Sequence, residues 1–139
     1  MNIEKILPSR FEAIAEFITT LFDSLKTETS LTQEEAFDIK LALEESITNA
    51  IKHGNRFDPQ RKVLIDVELL GGLLTIKVKD QGDGFDADKV PDPTKKDKLM
   101  KTSGRGVFLI KKIMDEVRFA DGGREICMAK KLSNTRSLS

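Results

Sequence analysis

The segment "KVLIDVELLGGLLTIKVK", residues 62–79, constrains the fold more than any other part of the chain. Val63, Ile65, Val67 and Leu69 recur at every second position, and Leu74, Ile76 and Val78 resume that period beyond Gly71-Gly72. Two period-2 runs joined by Gly-Gly predict a β-hairpin, because both central residues of its tight turn need positive φ. One face of such a hairpin is apolar throughout and has to be covered by a second layer.

The flanking sequence supplies that layer. A short extended start, Ile3 to Leu7, leads to Ser9, placed to cap a helix with apolar residues at Phe11, Ile14, Ala15, Ile18, Leu21, Phe22 and Leu25. Their i, i+3, i+4, i+7 spacing is that of an amphipathic helix. After a polar loop, "KTETS", Thr32 and Glu35 form a capping box for a second helix reaching about His53, with Gly54 as its C′ residue in the left-handed region. Residues 80–103 are rich in Asp, Lys, Gly and Pro and have little periodicity. A third helix is predicted from about Val107 to Val117, followed by a hairpin turning at Gly122-Gly123 and a Ser-rich end. This order predicts an α+β two-layer sandwich, with helices on one face of a mixed, mostly antiparallel sheet. Residues 1–132 form the domain and 133–139 a flexible tail.

Composition limits the function classes. A chain of 139 residues, 39% apolar and 33% charged, can build one hydrophobic core. Its 23 basic and 23 acidic residues cancel, which argues against a general nucleic-acid or anionic-membrane binder. No apolar run approaches the ~20 residues that span a bilayer, and "MNIEKILPSR" lacks a secretory pattern, so a cytoplasmic location is expected. The single cysteine, Cys127, reads as a small filler in a strand.

Three segments carry the chemistry. In "ALEESITNAIKHGN", residues 42–55, Ile39, Leu43, Ile47 and Ala50 mark a core side, while Glu45 and Asn49 share the opposite side one turn apart. A solvated face would explain that, but Leu41, Thr48 and Ile51 flank it, and a carboxylate beside an amide suits proton transfer and a hard cation. In "KVKDQGDGFD", a strand ends at Asp80 and runs into Gly82 and Gly84, where backbone can approach a flat ligand closely. In "TSGRGVFLIKKIMDEV", Gly104 and Gly106 precede a predicted helix start, whose free N–H groups favour an anion. Each motif alone is weak, since an Asp-Gly turn or a Ser103 cap would account for it. Together they offer a metal ligand, a base contact and a phosphate cradle.

With these three segments in this order, the chain resembles the GHKL (histidine-kinase-like) ATPase superfamily of gyrase, sensor histidine kinases and mismatch-repair ATPases. "EESITNAIKHG" resembles its N box, "DQGDGFD" its first glycine box and "SGRGVFLIKKIMDEV" its second. Among these, the chain is most similar to the anti-sigma factor serine-protein kinases of bacterial partner switching, over about Ile3 to Leu132. The resemblance implies a Bergerat-type fold, ATP with Mg²⁺, and Glu45 as the base that takes a proton from a protein serine. It further implies Asn49 as the Mg²⁺ ligand, Asp80 as acceptor from the adenine amino group, and Gly82 and Gly84 as backbone against the purine. Ser103, Gly104, Arg105 and Gly106 are implied phosphate binders, with Lys52 a further candidate and residues 86–103 an ATP lid. His53 is read as part of the helix end rather than as a phosphoacceptor.

The implied partners are a STAS-type anti-anti-sigma antagonist as phosphorylation substrate, a sequestered sigma factor or similar target, and a second copy in a homodimer. Two alternatives are a nucleotide-binding sequestration module without kinase activity and a detached histidine-kinase catalytic domain. The chain departs from the family in two places. "GGRE" at 122–125 lacks the Thr usual at the start of the last strand, and Arg10 is the only arginine near the first helix.

Overall fold

The computed structural model describes residues 1–84 and 101–133, with backbone alone for 101–105. The expected lid falls mostly on 86–100, and the tail from 134 onward, outside the described residues. The hairpin forms as the Gly-Gly pair dictates. Strands β2 (Lys62–Leu70) and β3 (Leu73–Lys79) flank Gly71 and Gly72 at φ 58° and 80°. Their register sets Ile65 opposite Val78, Val67 opposite Ile76 and Leu69 opposite Leu74, so one face is apolar along its whole length. Strand β1 (Asn2–Pro8) pairs with β2, and β5 (Glu125–Lys131) with β3, adding Ile126 and Met128 to that face. Strand β4 (Glu116–Ala120) closes the order β1-β2-β3-β5-β4. The four pairings among the described residues are all antiparallel, so the mostly antiparallel sheet forms and the parallel part of the mixed one expected is absent among them. The chain returns from its helical crossover to the edge, and β5 lies between β3 and β4.

Helices α1 (Glu12–Glu28), α2 (Gln33–Asn49) and α3 (Lys101–Ile113) supply the covering layer. Phe17, Leu21 and Leu25 of α1, Ile39, Leu43 and Ile47 of α2, and Ile110 of α3 join the strand residues in one buried cluster. No helix among the described residues is long and apolar enough to cross a membrane. The capping box forms: Glu35 N–H donates to Thr32 Oγ1 and Thr32 N–H to Glu35 Oε1, both at 3.0 Å. The second oxygen of Glu35 accepts from Ser133 N–H at 2.8 Å and anchors the end of the described chain to α2. Cys127 is buried in β5, and burial pushes its thiol pKa up.

Five local expectations differ from the structure. Ser9 does not cap α1. Phe11 stands at that position, and the Ser9 hydroxyl instead donates to Arg61 O at 2.6 Å and accepts from Asn55 Nδ2. Helix α1 runs on through Lys26-Thr27-Glu28, since the buried Leu25 and the Thr27 hydroxyl, bonded to Ser24 O, hold its last turn in place. Helix α2 ends at Asn49 in a π turn, Ala50–Gly54, which carries Ile51 into the core rather than beside the polar face. Gly54 is not left-handed; Arg56 and Phe57 are, at φ 52° and 58°. Finally, α3 starts at Lys101 and stops at Ile113. Glycine disfavours a helix by only about 1 kcal/mol and does not exclude Gly104 and Gly106, while Val117 pairs with Met128 in β4.

Candidate functional site

The core side of α2 leaves Glu45 and Asn49 on its other side, both half-buried and one turn apart. Helix α3 crosses them at Gly106. A Cβ on Gly106 would lie 2.9 Å from both Glu45 Oε2 and Asn49 Nδ2, so any larger residue there would make the ends of both side chains shift. Gly106→Ala should therefore push the two side chains apart while strengthening α3 by about 1 kcal/mol of helix propensity. We expect a thermal midpoint unchanged or raised, with any activity that depends on this pair reduced about tenfold or more by the misplacement. Full activity in that variant would mean that Glu45 and Asn49 do not act from this position.

The second corner lies where β3 ends. Asp80 is buried; its N–H donates to Arg124 O at 2.9 Å, and its Oδ1 accepts from Gly82 N–H at 2.8 Å. The carboxylate packs directly on Gly54, where any Cβ would collide with it, and Gly82 packs as closely on the Gly54 carbonyl. Gly84, at φ 81°, lies against Gly122 O. Burial raises the Asp80 pKa above the usual carboxylate value and Asp121 adds to the rise; the Gly82 N–H and the charges of Arg124 and Arg61 oppose it. The result is a buried acceptor with one oxygen held by backbone.

A cavity of about 540 Å³ lies between the two corners. Asn49, Lys52 and His53 line its helical side, Asp80 and Gly84 its sheet end, and Val78, Phe119 and Ile126 an apolar wall. Burial, followed by the charge of Lys52, lowers the His53 pKa and favours the neutral imidazole. An apolar wall with a few convergent polar groups is the usual form of a small-molecule site.

The candidate residues therefore divide. Asn49, Lys52, Asp80 and Gly84 meet at the cavity; Gly82 supports Asp80 from behind; Glu45 stands beside Asn49 at Gly106. Ser103, Gly104 and Arg105 lie in the opening turns of α3, so the N–H groups without an intrahelical acceptor are those of about Lys101 to Gly104.

Sequence reasoning missed two residues. Asn55, fully buried, donates from Nδ2 to Ser9 Oγ (3.0 Å) and Lys62 O (2.9 Å) and accepts at Oδ1 from Gln81 N–H (2.7 Å). Arg124 donates to Gly82 O, Asp121 O and Asp83 O. Asn55 had no signal beyond its place after a glycine, whereas Arg124 stood at the position where a Thr was missing.

A family model described as "Histidine kinase-like ATPase domain" matches residues 7–130. The chain is 33% identical over 132 residues to an anti-sigma F factor of Oceanobacillus iheyensis, covering 91% of this chain and 84% of that relative. It is 30% identical over 138 residues to a serine-protein kinase RsbW of Staphylococcus aureus, covering 91% and 87%. A crystal structure of RsbU and RsbW domains from Mycobacterium tuberculosis superimposes with a TM-score of 0.62 at 17% identity, a likeness of fold. That match covers 98% of this chain and 32% of the other, so the chain spans about a third of its length.

Proposed function

The chain belongs to the histidine kinase-like ATPase family, and from that premise we propose that it is an ATP-dependent protein serine kinase that also acts as an anti-sigma regulator. The observation that carries this reading is the meeting of Glu45 and Asn49 at Gly106, beside a cavity that ends on the Asp80 carboxylate. Relatives that the chain nearly spans are named for the two activities, anti-sigma F factor and serine-protein kinase.

In this reading Asp80 accepts a hydrogen bond from the adenine amino group; guanine presents a carbonyl oxygen there and is disfavoured. Gly54, Gly82 and Gly84 keep side chains away from that corner. Lys52 reaches a phosphate from the cavity's helical side, and the free N–H groups opening α3, up to Ser103 and Gly104, face the phosphate chain, with Arg105 and Gly106 following in the next turn. The donor set fits magnesium: Asn49, which lines the cavity, offers a hard amide oxygen. Mg²⁺, when bound, supplies charge neutralisation at the phosphates. Glu45 takes the proton of the incoming serine hydroxyl.

The acceptor serine belongs to a STAS-type antagonist, and the sequestered protein is a sigma factor or comparable regulator; the active form is a homodimer in the cytoplasm. Incubating the chain with labelled ATP, Mg²⁺ and the cognate antagonist should yield acid-stable phosphoserine. An acid-labile product would point to transfer onto histidine, and no transfer alongside intact partner inhibition would point to sequestration alone. Mg-ATP at 100 times its Kd should stabilise the fold by about 2.7 kcal/mol, read as a rise in thermal midpoint. No shift at any concentration would remove the nucleotide from the proposal.

A further inference from the structure

Arg124 stands at the start of β5, where this chain has no Thr, and its guanidinium is occupied in an unusual way. Nε donates to Gly82 O at 2.7 Å, Nη1 to Asp121 O at 3.0 Å and Nη2 to Asp83 O at 3.2 Å. One side chain thus bridges the loop that follows Asp80 and the turn between β4 and β5. The backbone lies close to it: a Cβ on Gly122 would meet Arg124 Nη1 at 3.0 Å. A second connection runs along the backbone, from Asp80 N–H to Arg124 O. Arg124 also lines the cavity beside Asp80 and Gly84.

We propose that Arg124 is a positioning residue for base selection: it locks the Asp80–Gly84 corner in the shape that accepts adenine and rejects guanine. The inference rests on the reading of Asp80 as acceptor from the adenine amino group. The Gly82 N–H holds Asp80 Oδ1, so the direction of the carboxylate depends on where the Gly82 backbone sits. Arg124 fixes the carbonyls of both Gly82 and Asp83 with a planar fork. A lysine at 124, with a single ammonium on a flexible stem, cannot hold the same set of carbonyls. With the fork removed, the corner can relax, and Asp80 can turn away or admit a guanine carbonyl.

The test compares Mg-ATP and Mg-GTP affinities by calorimetry for the wild type, Arg124→Met and Arg124→Lys, with the ligand-free thermal midpoint as a control. The wild type should prefer ATP. Arg124→Met should lower the ATP-to-GTP affinity ratio by about tenfold, the scale of one charge-assisted hydrogen bond, and Arg124→Lys by less. Equal weakening of both nucleotides, or an unchanged ratio in both variants, would reduce Arg124 to a structural tie and overturn the proposal. Should Arg124→Met fail to fold, the ratio measured for Arg124→Lys decides it. Asp80→Asn separates the two levels. If that change removes the ATP preference while the Arg124 variants keep it, the reading of Asp80 stands and that of Arg124 falls. A wild type indifferent to the base would sink both.

Discussion

Replacing Glu45 with Gln should lower serine phosphorylation by roughly 100- to 10,000-fold while leaving Mg-ATP affinity within about threefold. Gln keeps the shape of the side chain, so the close approach of α3 at Gly106 is undisturbed and any loss is one of proton acceptance. Glu45 does not line the cavity, whereas Asn49 does, so nucleotide binding and phosphoryl transfer should separate between the two. Asn49→Ala should lose Mg²⁺-dependent affinity as well as activity. The measurement is initial rate of label transfer at saturating ATP, paired with calorimetry. A Glu45→Gln rate within about twofold of wild type would exclude Glu45 as the base, because general-base contributions are far larger than that.

The largest effect on stability is expected at Asn55. Its amide joins three segments: Ser9 after β1, Lys62 at the start of β2, and Gln81 just past Asp80. Asn55→Ala removes three hydrogen bonds and leaves the Gln81 N–H without its acceptor. With a net ~1 kcal/mol for each bond and a further penalty for the stranded groups, we expect a loss of about 3–5 kcal/mol in chemical denaturation. Asn55→Asp is nearly isosteric yet should destabilise too, since a carboxylate cannot donate to Ser9 or to the Lys62 carbonyl. Because Gln81 adjoins Asp80, whatever folded Asn55→Ala remains should bind Mg-ATP more weakly than folded wild type. An unfolding free energy lowered by less than about 0.5 kcal/mol would show that water replaces the amide at no cost, and that the three segments hold together without it.

Much of this molecule could be read before its shape was known. The hairpin at Gly71-Gly72, the Thr32–Glu35 capping box and the helical layer all follow from interactions between residues a few positions apart. The grouping of Glu45 with Asn49 also follows, being a matter of one helical turn. The boundaries of α1 and α3 were less legible, because ends depend on what the last turn packs against: Leu25 in the core extends α1, and pairing of Val117 with Met128 withdraws it from α3.

Other residues changed meaning once distant segments met. Gly54 looked like a helix terminator, but its missing side chain makes space for Asp80, 26 positions away, and its backbone stays out of the left-handed region. Ser9 looked like a cap and became the partner of Asn55 across 46 positions. Arg124 looked like the absence of a threonine, and its guanidinium reaches Gly82 across 42 positions. The sequence by itself determined the layers, the hairpins and the chemical types gathered on three short motifs, because periodicity, turn dihedrals and caps act within one or two turns of chain. Only the tertiary structure decided which glycine answers which carboxylate and which polar side chains lock the corner in place. Those contacts depend on β5 pairing with β3 and on the π turn after α2 meeting the end of β3, and no local pattern encodes a meeting between segments so far apart in the chain.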